Sequence, residues 1–137
     1  MSYATAAALQ AAIYARLSGV LEVPVLDAAP DATEGTWVLI GPEDVRDRSD
    51  QTGAGAEHRL TLSVVSDAEG FQRAKIVAGA ICDALVLPME MTRGRIAGLW
   101  FNRAVARRLD AGRTRRIDLT FYARVDDVPP APDNGDE

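Results

Sequence analysis

The sequence holds one cysteine, Cys82, one histidine, His58, and one lysine, Lys75. A single cysteine excludes an intrachain disulfide and a multi-cysteine zinc site. One imidazole and one thiol leave little material for a Ser-His-Asp or Cys-His nucleophile, and their neighbours point to a strand and a helix interior respectively. No apolar run reaches the roughly 20 residues that a membrane-spanning helix needs, so no membrane association is expected. Met1-Ser2-Tyr3-Ala4-Thr5 lacks the basic opening of a secretory signal, and Gln10 and Arg16 interrupt the alanine-rich stretch that follows. This predicts a protein made and kept in the cytoplasm unless carried out inside an assembly. Gly53-Ala54-Gly55-Ala56 precedes a strand instead of opening a helix, and no Gly-Lys-Ser/Thr follows, so it reads as loop flexibility and not as a phosphate cradle. Asp44, Asp47 and Asp50 lack the glycine and terminal glutamate of a calcium loop. The expectation is a protein with no catalytic residue, no cofactor and no metal.

What is present suits one domain. The chain has 137 residues, 47% of them apolar, enough for one core. From Ala4 to Ser18 the positions Ala6, Leu9, Ile13 and Leu17 recur with helical spacing, and Gly19 suits the helix end. An extended piece at Pro24-Val25-Leu26 leads to a strand, Thr36-Trp37-Val38-Leu39-Ile40, closed by Gly41-Pro42. Residues 43 to 56 are charged and have little to bury, which predicts an exposed, mobile loop or the tip of a long hairpin. Glu57 to Val65 alternates, with Leu60, Leu62 and Val64 on one face. His58 shares their parity and is expected to be half-buried and bonded to nearby backbone. Ser66-Asp67-Ala68-Glu69 fits a capping box ahead of a second helix with the stripe Phe71, Ala74, Ala78, Ile81 and Leu85, ended by Pro88. Cys82 beside that stripe reads as a packed hydrophobe.

Two long strands complete the pattern. Ile96 to Leu109 carries apolar residues on both parities, and Arg113 to Val125 alternates with Ile117, Leu119, Phe121 and Ala123 on one side. Asp110-Ala111-Gly112 is short enough to join them as a hairpin. The expected class is α+β: a mostly antiparallel sheet, two helices packed on one face, a long C-terminal β-hairpin and a disordered acidic tail. The domain is expected over residues 1–125 and the proline-rich tail over 126–137.

The net charge of −5 hides a division. Residues 1–92 carry −7, residues 93–124 carry +7 and residues 125–137 carry −5. Arg103, Arg107, Arg108, Arg113, Arg115 and Arg116 crowd the last hairpin, and arginine's planar fork suits carboxylates and protein interfaces. Sequence-specific nucleic-acid binding is disfavoured by the overall acidity and by the lack of interleaved aromatics. A head-to-tail contact between this basic hairpin and an acidic surface of a neighbour would build a ring if the rotation closes. On charge alone, that contact and a solvated hairpin stand level.

Several runs carry a family resemblance: the alanine-rich opening helix, Trp37-Val38-Leu39-Ile40-Gly41, Glu57-His58-Arg59-Leu60-Thr61-Leu62-Ser63-Val64, Gly70-Phe71 with Ala74-Lys75 and Ile81-Cys82-Asp83-Ala84-Leu85, and Gly112-Arg113-Thr114-Arg115-Arg116-Ile117-Asp118-Leu119. Over about residues 3 to 125 the chain resembles the tail terminator, or tail-completion, proteins of siphophage-like particles and gene transfer agents. The resemblance implies a structural, non-enzymatic protein. It would form a homohexameric ring that ends polymerisation of the tail tube at its head-proximal end and docks the head-side connector protein, while DNA passes through unread. Its partners would be other copies of itself, the tail-tube protein and the connector. Its place would be the cytoplasm during assembly and then the particle. A head-tail joining protein is the alternative, and a small nucleic-acid-binding protein a more distant one. The arginines named above are the candidate subunit or ring interface, and Glu43, Asp44, Arg46, Asp47, Arg48 and Asp50 the candidate tube- or connector-contacting loop.

Overall fold

The computed structural model describes residues 3–30, 34–51 and 53–127. The elements are α1 (Ala6–Val20), β1 (Val25–Leu26), β2 (Thr36–Asp47), β3 (Gly55–Ser66), α2 (Gln72–Val86), β4 (Arg95–Leu109) and β5 (Thr114–Asp126). They form the expected α+β architecture. The sheet order is β1-β2-β3-β5-β4, with β1 parallel to β2 and every other pair antiparallel.

One face of the sheet meets both helices. Leu62 and Val64 of β3 lie opposite Leu119 and Ile117 of β5 and opposite Ile40 and Val38 of β2. These side chains form one cluster with Leu9, Ile13 and Leu17 of α1 and Ala74, Ala78, Ile81 and Leu85 of α2. The period-two pattern of the strands and the 3.6-residue stripe of the helices thus meet in a single core. Arg16 ties the helices together at the edge of that core. Its guanidinium donates to the carbonyls of Ala84, Leu87 and Pro88 at 2.6, 3.2 and 2.8 Å, satisfying acceptors that the end of α2 leaves free. Among the described residues, no helix is long and apolar enough to cross a membrane.

Four local expectations are corrected. The strand expected to stop at Gly41-Pro42 continues to Asp47, through an irregularity between Ile40 and Glu43 that lets pairing with β3 resume. The charged stretch is therefore the hairpin alternative, and Glu43, Asp44, Arg46 and Asp47 are strand residues. α1 runs past Gly19 to Val20. The capping box does not form, because α2 starts at Gln72 with Phe71 at its N-cap and no side-chain cap. Ser66 instead pairs its hydroxyl with that of Thr36 at 2.8 Å and accepts the Ala68 N–H at 3.2 Å. Lastly, β5 includes Asp126, and Asp127 accepts two hydrogen bonds from Arg93, both 3.0 Å, so packing reaches past residue 125. The rest of the expected tail, from residue 128, lies outside the described residues.

Candidate functional site

The structure separates the six hairpin arginines by what holds them. Strand alternation sends Arg116 and Asp118 to the sheet face away from the helices, and register places Ser63 of β3 and Val105 of β4 on either side of Asp118. Asp118 is the hub. It accepts from Ser63 Oγ at 2.6 Å, Arg116 Nε at 2.9 Å and Arg107 Nη2 at 2.7 Å, while Arg116 Nη2 donates to Ser63 Oγ at 3.2 Å. Partial burial works to raise the Asp118 pKa, but hydrogen bonds from Ser63, Arg116 and Arg107, with the charge of Arg116, outweigh it and hold the carboxyl below its ordinary value. Arg107 and Arg116 are thereby committed within the subunit.

The remaining arginines differ. Arg108 lies over the Phe71 ring at 5.1 Å, a cation–π contact that anchors the hairpin to the start of α2. Arg115, half-buried opposite Ser66, has a buried Nε without a partner. Arg113 donates through Nε to the Asp110 carbonyl at 3.1 Å, tightening the turn. Arg103 is exposed and forms no ion pair among the described residues. The expected six-residue patch therefore narrows to Arg103 and Arg113 as the cations most open to a neighbour.

The second candidate group divides in the same way. Glu43 points to the helix-covered face, where one carboxylate oxygen accepts from the Tyr3 hydroxyl and the other lies 3.6 Å from His58 Nδ1. Asp44 and Arg46 pair weakly with each other at 3.7 Å on the open face, and Arg48 lies 3.8 Å from Glu57. At the tip, Asp47 Oδ1 accepts from the Ser49 N–H at 3.0 Å and its hydroxyl at 2.7 Å, which depresses the Asp47 pKa. Asp50 faces Gly53 across the turn, its backbone N–H reaching the Gly53 carbonyl at 3.0 Å. Arg48, Asp50 and their neighbours thus form a compact, exposed tip at the end of two twelve-residue strands.

His58 and Cys82 are placed as packing residues. His58 is fully buried, with neither ring nitrogen hydrogen-bonded, which corrects the expected half-buried, backbone-bonded ring. Its unbonded nitrogens also mean that it forms no hydrogen-bonded pair with a thiol or hydroxyl. Burial, aided by Asp83, pushes the Cys82 thiol up, away from the reactive thiolate. Among the described residues, no group of three or more His, Cys, Asp and Glu side chains could hold a metal. Because an imidazole buried without a hydrogen bond costs stability, and Glu43, 3.6 Å from Nδ1, keeps its bond from Tyr3 when the ring is removed, His58→Leu is expected to raise the unfolding free energy by about 1 kcal/mol. Urea denaturation at neutral pH checks this.

Sequence reasoning missed an apolar edge. Trp100 and Phe101 on β4 are each 48% exposed, and their pairing with Tyr122 and Phe121 turns Trp100 to the open face of the sheet and Phe101 to the helix-covered face, where it lines a hollow with Val86 at the end of α2, itself 76% exposed. Phe101 rests edge-on against Phe121, ring centroids 5.7 Å apart. The signal was the double apolar parity of β4, which here marks an edge strand with one side unpaired.

Three similarities bear on this arrangement. Part of the chain, 90 residues or 66% of it, is 31% identical to alpha-galactosidase A of Cellvibrio japonicus (strain Ueda107), and the match spans only 20% of that protein's length. A solved chain from the virion of a native gene transfer agent particle is 50% identical, superposes with a TM-score of 0.82, and is matched over 91% of this chain and 99% of that one. The family described as tail completion protein gp17 matches residues 5–126, a span that takes in both helices and all five strands. The chain belongs to the tail completion protein gp17 family.

Proposed function

We propose that the protein is a structural component of a phage-like or gene-transfer-agent particle, forming a ring that caps the head-proximal end of the tail tube. The observation that carries this reading is the 50% identity, over nearly the whole of both chains, to a chain of a gene transfer agent virion. Membership of the tail completion family supports it. The ring is a homohexamer. One of its faces matches the tube subunit and stops further tube rings from adding, and the other receives the head-side connector. DNA passes through the lumen without base contacts. Assembly takes place in the cytoplasm, and the protein then stays in the particle. The mechanism is geometric: complementarity on one face, and on the other the absence of the surface that the next tube ring needs.

In this reading Arg103 and Arg113 serve a subunit or ring interface, and the β2–β3 tip contacts tube or connector. Arg48, just past β2, and Gly55, the first residue of β3, pair below the Asp50–Gly53 bridge that closes the turn, the Arg48 N–H reaching the Gly55 carbonyl at 2.8 Å. Replacing residues 49–54 by Asn-Gly preserves this pair with a tight two-residue turn. The variant is expected to melt within a few degrees of the parent while tails in producing cells lose their uniform length, as seen by electron microscopy. Tails of normal length would remove the tip from the capping surface. Copurification separates tube from connector: retention of the connector with loss of the tail-tube protein assigns the tip to the tube.

A further inference from the structure

The two edges of the sheet are unlike, and they match each other. At one edge, β4 presents Phe101 on the helix-covered side of the sheet, with Val86 beside it, and Trp100 on the open side. The strand contains Arg95, Arg103, Arg107 and Arg108 and no acid. Exposed apolar groups gathered at a long unpaired edge are what an interface leaves behind in the separated subunit. At the other edge, β1 has only two residues, and α1 stands off it to leave a cleft of about 470 Å³. Ala7, Ala11, Tyr14, Val25 and Leu26 make this cleft apolar, and Asp27 stands at its rim. Glu22 and Asp27 are the acids of residues 3–30, where the one cation, Arg16, is spent on the carbonyls at the end of α2.

We infer that Phe101, with Val86 beside it, at the β4 edge of one subunit seats in the α1–β1 cleft of a second copy, with Arg103 of the same edge meeting Asp27. Both charged groups are exposed, and neither has an ion-pair partner among the described residues. Phe101 supplies a large aromatic anchor, a kind of side chain that contributes strongly to interface energies, and the cleft owes its room to two alanines. Because the two patches differ and sit on opposite edges, each copy can give one contact and receive one, which propagates head to tail and closes as a ring. The inference deepens the ring reading and rests on it for the closure.

The test is the absolute mass of the full chain by light scattering over a wide concentration range. The wild-type protein self-associates. Phe101→Asp blocks the β4-edge surface and Ala11→Trp fills the cleft, so each variant alone stays monomeric. Mixed in equal amounts they form a dimer and nothing larger, since each retains one working surface. Asp27→Arg and Arg103→Asp, both at exposed positions that leave the core untouched, each weaken association about tenfold, and the two together in one chain recover it. A wild-type monomer at every concentration, a mixture that stays monomeric, or single variants that assemble like the parent would overturn the inference. So would a Phe101→Asp protein that forms normal rings but no longer retains the tail-tube protein, which assigns the β4 edge to the tube. The capping reading fails by a different result: rings built through these surfaces that leave tail length uncontrolled.

Discussion

Replacing Asp118 by alanine is expected to lower the unfolding free energy by about 2–3 kcal/mol at neutral pH, the cost of leaving partly buried donors without their shared acceptor. Three donors converge on this carboxylate, and one of them, the Ser63 hydroxyl, is fully buried. The guanidinium of Arg116 would keep its bond to Ser63 but lose its charge partner, while Arg107 can turn to water. A fifth of the Asp118 side chain is exposed, so solvent screens part of the attraction, which places the figure below that of a fully buried network. Charge reversal at Arg116 is expected to act in the same direction, setting a second carboxylate against Asp118. A defect in assembly caused by that variant would therefore report on folding as much as on an interface, whereas reversal at the exposed Arg103 would not.

The Asp118 network also fixes a pH dependence. Its carboxyl is held below the ordinary value of 3.8, so the folded state favours the ionised form more than the unfolded chain does. The stability it contributes is complete above that ordinary value and is lost as pH falls through the lower, folded one. Urea titrations of the parent and of Asp118→Asn should accordingly differ most near neutrality and converge under strongly acid conditions. A gap that persists unchanged in acid would mean that the side chain acts through packing instead of charge.

Much of this was legible in the sequence. The stripe of Leu9, Ile13 and Leu17 and the alternation of Leu60, Leu62 and Val64 were clear because each such residue enters the core, so local period and burial agree. Glu43 to Asp47 was harder to read, since what keeps that charged stretch in the sheet is distant in sequence: pairing of Val45 with His58 and the bond of Glu43 to Tyr3. The motif at Ser66 failed for a related reason. Ser66 is held as the last residue of β3 by its pairing with Thr36, and the N–H that its hydroxyl accepts, that of Ala68, belongs to the turn before α2, which starts only at Gln72. The arginine cluster was visible by composition alone, but its division was not. Arg116 and Asp118 share a parity, which hints at their pairing, while the arrival of Arg107 depends on register and that of Arg108 on the position of Phe71. The α1–β1 cleft left no sequence signal beyond small residues, because a cleft is made by what two elements fail to fill.

Gly94→Ala is expected to cost about 3 kcal/mol or more, since it combines a left-handed backbone with a steric conflict that has no easy relief. Gly94 has φ +76°, and a Cβ there would stand 2.8 Å from Thr5 Cγ2 and 2.9 Å from the Asp126 carbonyl oxygen. Neither neighbour can yield cheaply. Thr5 is buried at the start of α1, and Asp126 is the last residue of β5, paired with Arg95 of β4. Gly112 provides the control. Its φ is +86° but nothing lies within 4 Å of its would-be Cβ, so Gly112→Ala should carry only the conformational term, about 1 kcal/mol. Denaturation of the two variants side by side separates backbone strain from close packing. A threefold difference places the junction of α1, β4 and β5 among the tightest points of the fold, and equal losses would mean that the α1 end can move aside. That junction lies at the start of the β4 edge and holds the N-terminal end of α1, which walls the cleft at the opposite edge. Loosening it should therefore also weaken association between copies, an effect that Gly112→Ala would not share.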